Sequence, residues 1–289
     1  MASRPTTAAV TSSLAARRLR KELRRVGRTL HTARPDAEAI HDARDRIKRA
    51  RATLRLLRPQ LKKGAFRKGD RLLHRVTAPL GSVRDGAVLI DKLDALLHQY
   101  HGAGALVGTE SLRRALDRDL SRKNDTLRTD KRLRRRIDRL LERASTTAKD
   151  RKHSQRRDSV RQGLRRTYRE AREALHRAQR KATVKSLHTL RKRTKDLELQ
   201  LRFIEKQTAS GHGRSAAFRR LADTLGDDHD LAVLHKRIAE DPSAMGDMES
   251  QTRLIALIEQ HRLKLQRRAF LQAAHLYKIK SREFARRFA

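Results

Sequence analysis

Leu and Ala return every three or four positions along most of this chain, with charged residues between them, and that spacing is the period of an α-helix. Little else can fold from it. Aromatic residues are 3% of the chain and β-branched ones are scarce, so strands have few residues to build on. With 5 Pro and 13 Gly in 289 residues there are few helix breakers. Hydrophobic residues reach 37%, enough for a packed core when they share helix faces. The expectation is a folded, all-α protein.

Charge limits what such a protein meets. Lys and Arg number 72 against 33 Asp and Glu, a formal net charge of +39. Self-repulsion on that scale opposes a compact fold unless a counter-charge is supplied, so the partner is a polyanion: nucleic acid, an anionic membrane surface or inorganic polyphosphate. The absence of Cys excludes disulfides, Cys-ligated zinc and thiol catalysis. Charges interrupt every apolar stretch well short of the ~20 residues that span a bilayer. The N-terminal MASRPTTAAVTSSLAARRLR has the Arg, Ser and Thr of a transit peptide and no acids, but its Arg/Leu periodicity runs on through Glu22 as one helix. The expected location is the cytoplasm.

Punctuation divides the chain. A helix over 12–32 puts Leu19, Leu23, Val26 and Leu30 on one face; Pro35 and Asp36 break it, and a second runs from about 36 to 58. A shorter helix to about Pro79 and another from Asp85, after a turn at Gly81, bring the expected number before residue 100 to four. HGAGALVG at 101–108 reads as a linker, followed by two charged helices over 109–150. Helices over 155–181 and 184–207 come next, then a break at SGHG (210–213), a short helix, a turn at Gly226-Asp227-Asp228 and a helix from His229. Two segments repeat. HDARDRIKRARATLRLL from His41 aligns with HTLRKRTKDLELQLRFI from His188 at an offset of 147 residues, and LGSVRDGAVLIDKL from Leu80 with LGDDHDLAVLHKRI from Leu225 at 145. The chain reads as one domain over 1–289, duplicated internally at about 10–150 and 151–285.

The repeat carries a basic row. At ~100° per residue, His41, Arg44, Lys48, Arg51 and Arg55 share one arc of the helix beside a seam of Ala43, Ile47, Ala50, Leu54 and Leu57. His188, Arg191, Lys195 and Arg202 take the same places in the second copy, beside Leu190, Leu197, Leu201 and Ile204, while Glu198 stands where Arg51 does. The preceding helices add Arg17, Lys21, Arg24 and Arg28 in the first copy, and Arg161, Arg165, Arg169 and Arg172 in the second, with Tyr168 between that row and its core. Cations about 5 Å apart along an axis suit a linear polymer of phosphates, with Arg forking onto oxygens and Lys supplying a point charge. A charged helix row is more often a solvated face. Against that stand the lack of acids within the first row and the His that heads both rows.

These segments resemble the CHAD family, histidine-containing α-helical domains associated with inorganic polyphosphate. The shared pattern is His-x-x-Arg-x-x-x-Arg/Lys-x-x-Arg twice, each followed by Leu-Gly-x-x-x-Asp. The resemblance covers about 10–285. It implies two pseudo-symmetric four-helix-bundle halves with a basic channel between them, polyphosphate bound by the two rows, and Arg84 in LGSVRD as a further contact. Glu198 and His229 depart from the pattern, weakening the second half-site or closing it with an internal ion pair. Asp85 and Asp230 both read as helix N-caps.

No enzyme is expected. The Glu-x-Glu-x-Lys mark of the triphosphate-hydrolysing domains often joined to CHAD domains is absent, as is a Gly-rich phosphate loop. No cofactor or metal is called for: His98 with His101 and Asp228-His229-Asp230 are poor ligand sets. The rival partner is duplex DNA or RNA held non-specifically by its backbone, disfavoured only where bases must be stacked, since aromatics are so few. A place on polyphosphate granules follows from the first reading.

Overall fold

The computed structural model describes residues 11–30, 37–99, 109–147, 159–208, 213–241 and 247–288, and within them all side chains except those of 37, 82–85, 124, 127 and 128. Among these residues the elements are helices: α1 (Ser12–Leu30), α2 (Ala37–Leu56), a 3-10 turn at Arg58–Gln60, α3 (Ala65–Gln99), α4 (Thr109–Thr129), α5 (Lys131–Thr147), α6 (Ser159–Arg180), α7 (Val184–Glu205), α8 (Arg214–Glu240), α9 (Met248–Leu276) and α10 (Ser281–Arg286). No helix among them is long and apolar enough to cross a membrane. The linker at 101–108, the breaks at Pro35-Asp36 and most of SGHG fall outside the described residues.

Two apolar cores hold these helices. The larger takes Leu19, Leu23 and Val26 from α1, Ala43, Ile47, Ala50 and Leu54 from α2, Leu164 and Ala171 from α6, and Leu190, Leu197, Leu201 and Ile204 from α7. The seams expected on α1, α2 and α7 are therefore the buried faces, and at roughly 2 kcal/mol per buried aliphatic side chain they bind the helices together. The smaller core joins the far ends of α3 and α8 to α4 and the start of α9 through Leu93, Leu96, Leu112, Leu234, Leu254 and Ile258. Both cores draw on residues from before and after position 150.

Helix ends follow local chemistry. Thr183 and Ser186 form a reciprocal capping box at the start of α7, with Oγ–N distances of 3.1 and 3.0 Å. Asp247 caps α9, accepting from the Ser250 amide at 2.6 Å.

Two expected breaks do not occur. The helices placed before Pro79 and after Asp85 are one 35-residue helix, α3, with Pro79 inside it, so among the described residues three α-helices and a 3-10 turn precede residue 100. An internal Pro costs about 3 kcal/mol, and apolar burial on both sides of it, by Leu72, Leu73, Val76, Leu80 and Leu89, offsets that. α8 likewise runs unbroken through Gly226-Asp227-Asp228. Asp227 pairs with Lys92 of α3 at 2.7 Å, and Asp228 accepts from Arg262 and Gln266 of α9 at 3.2 and 2.8 Å. Acids read as turn formers are thus ion-pair partners of neighbouring helices. Asp85 and Asp230 lie inside α3 and α8 and cap neither.

Candidate functional site

The repeated segments meet where α2 packs on α7. Gln200 donates to the Ala52 carbonyl at 2.9 Å there, and Gly163 of α6 lies against the Leu56 backbone so closely that no Cβ fits between them. Arg55 lies in this crossing, 6% exposed. Its guanidinium is 2.9 Å from Asp196 of α7 and 3.5 Å from Glu170 of α6. Arg58 and Arg193 also reach Glu170, and Arg193 reaches Asp196 at 3.2 Å. Arg51 pairs with Asp70 of α3 at 2.9 Å, and that hydrogen bond, with the charges of Arg51, Arg55 and Arg193, holds Asp70 below the usual carboxylate range although burial opposes it.

The first row holds no acid of its own, but packing brings acidic partners to it. Asp45, one position off the arc, lies 3.6 Å from His41 and 2.9 Å from Lys48. Arg44 donates to the Leu80 carbonyl of α3 at 2.8 Å. Arg55 is a buried cation held between Asp196 and Glu170. In the second row Glu198, 1% exposed, pairs with Lys195 at 3.1 Å and Arg202 at 3.8 Å, an ion pair inside the row itself. Arg84's side chain falls outside the described residues.

Positive charge without a counter-charge collects at the head of α7. The Arg191 guanidinium lies over Gly226 of α8, where a Cβ would stand 3.5 Å from its Nε. Among the described residues, neither Arg191 nor Lys192 has a carboxylate within ion-pair distance. Partial burial, then the charges of Arg51, Arg193 and Arg191, lower the Lys192 ammonium below the ordinary lysine value. Beside them the rings of His188 and His229 lie in contact, centroids 4.1 Å apart and planes tilted by 31°. Burial and then their cationic neighbours push these two down to about 3 and about 4, so both are neutral near pH 7.

The α1 and α6 rows lie elsewhere. Arg17, Lys21, Arg24 and Arg28 are exposed on the outer face of α1. Arg165 and Arg169 are exposed on α6, Arg169 3.6 Å from Glu173, and Arg172 sits beside Tyr168 near Glu283 and Arg287. The inward face of α1 was missed: Glu22, buried, pairs with Arg18 at 2.8 Å and Arg46 at 3.5 Å. Glu170 pairs with Arg166 at 3.1 Å and Arg193 at 3.5 Å. The two triads are spaced by 147 or 148 residues, member for member. Burial and the charges of Arg49, Arg202 and Arg25 lower the Arg18 guanidinium, despite Glu22, so cations concentrate there too.

Lys192 was also missed. The signal was present in the repeat, because Lys192 aligns with Asp45 and the charge at that position is reversed. Arg262 could not have been found, since only the packing of α9 on α8 brings it to Asp228. Among the described residues no cluster of His, Asp and Glu forms a metal site.

A solved structure, the crystal structure of the CHAD domain from the plant Ricinus communis, is similar at 18% identity over 94% of this chain and 93% of that one, with a TM-score of 0.69, and this is a likeness of fold. No curated protein matches. The CHAD domain model matches residues 17–239, from the outer row of α1 through both heads of the repeat to the end of α8, and the chain belongs to the CHAD domain family.

Proposed function

We propose that the chain binds inorganic polyphosphate without transforming it, and that binding places it on polyphosphate granules. The observation that carries this is the pair Arg191 and Lys192, neither with a carboxylate within ion-pair distance among the described residues, set between the His188–His229 pair and Arg51 of the facing helix. A chain of phosphates lying from α7 toward α2 meets cations from two helices at once. Membership of a family associated with polyphosphate supports the same ligand. His188, Arg191, Lys192, Lys195 and Arg51 are the contacts on this path, with Arg44 and Lys48 next along α2.

A second reading, non-specific binding of a duplex backbone, is favoured by one observation. Arg132, Arg136, Arg139 and Arg143 form an exposed row on α5, which packs beside α1 with its own outer row. The separating experiment is a titration of fluorescent polyphosphate with free phosphate measured in parallel. Saturable binding with no phosphate released supports the proposal; steady release of phosphate contradicts it.

A further inference from the structure

We infer that the His188–His229 ring pair, with Arg191 and Lys192, forms a phosphate subsite that takes up a proton when a phosphate group occupies it. The inference rests on the polyphosphate reading and assigns its acid–base behaviour.

Geometry carries the case. The two rings come from different helices, α7 and α8, and lie against each other with centroids 4.1 Å apart and planes tilted by 31°. Nδ1 is buried without a hydrogen-bond partner in both. With Nδ1 closed off, Nε2 is the nitrogen through which either ring donates or takes up a proton. The charged groups facing the pair are cations: Arg191 and Lys192 from α7 and Arg262 from α9. The nearby acids are already engaged. Asp228 of α8 is held by Arg262, and Asp227 by Lys92 of α3. A proton on either ring therefore meets uncompensated positive charge, and the free pair stays neutral.

An arriving phosphate reverses that balance. Its negative charge beside Nε2 stabilises the imidazolium and offsets Arg191 and Lys192. Repulsion between two charged rings in contact limits the uptake to one proton shared by the pair. The proton comes from solvent and returns there on release, and no bond of the phosphate changes. By linkage, affinity rises as pH falls below the bound pair's pKa and levels off below the free pair's. Internal phosphates of a long chain keep their charge over that range, so the effect belongs to the protein.

The test measures the affinity of the full chain for long-chain polyphosphate at pH 8 and pH 5, for wild type and for His188→Gln with His229→Gln. The expected result is a gain toward acid pH about tenfold larger in wild type, which by pH 5 takes an upward move of about two pKa units from the free value of about 4. A ring NMR titration of His188 in wild type, with and without polyphosphate, makes the outcome independent of the variant's folding. An upward move of about two pKa units on binding supports the inference. Equal pH gains together with an unmoved His188, while polyphosphate still binds, overturn the inference and leave the polyphosphate reading standing. Absence of polyphosphate binding overturns both.

Discussion

Arg55 of α2 and Asp196 of α7 hold Nε and Oδ2 2.9 Å apart across the crossing of the two repeated helices. With Glu170 of α6 they tie α2 to two helices that lie more than a hundred residues further along the chain. Breaking a buried pair leaves a charge without compensation. Arg55→Ala therefore costs about 3 kcal/mol, read as a lower urea midpoint. A loss under about 0.5 kcal/mol, the scale of an ordinary surface change, would mean that Arg58 and Arg193 carry the acids alone.

Two glycines on helices give opposite signs for one substitution. Gly163→Ala drives a methyl into the Leu56 backbone and costs about 3 kcal/mol. Gly27→Ala meets nothing within 4 Å and removes a poor helix former from α1, so it stabilises by up to ~1 kcal/mol. Thermal midpoints moving in the same direction contradict the packing described for α6 on α2.

The helices and their buried faces were legible because helical phase depends only on neighbours three and four positions apart. That is why Ile47 and Leu54 on α2, and Leu190 and Leu201 on α7, lie where the periodicity puts them. The basic rows were legible as rows and not as ligand contacts. The partners of Arg51 and Arg55, at Asp70, Glu170 and Asp196, are set by helix packing, which phase alone does not contain. Pro79 and Gly226 misled for a related reason: local breaking tendencies of ~1–3 kcal/mol yielded to burial along α3 and α8.

Acid stability follows from the two histidines. Burial first, then neighbouring cations, hold them at about 3 and about 4 in the fold, below the ordinary 6.5. The unfolded chain binds protons that the folded one refuses, so their contribution is full above pH 6.5 and disappears as pH falls through the folded values. In urea melts without anion, His188→Gln with His229→Gln gives a flatter decline between pH 6.5 and pH 4 than wild type. Parallel curves would show that the pair is not held neutral.

Tyr168 contributes on the alkaline side, as does the buried Tyr277, which burial also pushes up. Burial, first among the causes, pushes the Tyr168 phenol up to about 12, while it donates to the carbonyls of Leu276 and Ile279 at 3.1 and 3.2 Å. A folded value raised above the unfolded ~10 means stability that is present below pH 10 and lost from there toward 12. Tyr168→Phe, which has no proton to lose, shows a shallower alkaline decline in melts between pH 9 and pH 11. An unchanged slope would remove Tyr168 as a cause.

Position and bulk charge separate in a paired substitution. Arg44→Ala with Arg191→Ala and Arg132→Ala with Arg136→Ala each remove two positive charges, the first pair from the heads of the two rows and the second from the exposed face of α5. The first pair weakens polyphosphate binding at least about tenfold more, a difference of ~1.4 kcal/mol. Equal losses in equilibrium titrations would mean that net charge alone binds the ligand.

The most direct measurement is competition on the full chain, with labelled polyphosphate bound and duplex DNA added at equal phosphate concentration and matched salt. Cations drawn from α2 and α7 onto one path favour a thin, flexible chain over a wide, stiff duplex. The predicted result is that DNA fails to displace polyphosphate at equal phosphate. Displacement at equal phosphate would contradict the account, because the protein would then be reading charge alone.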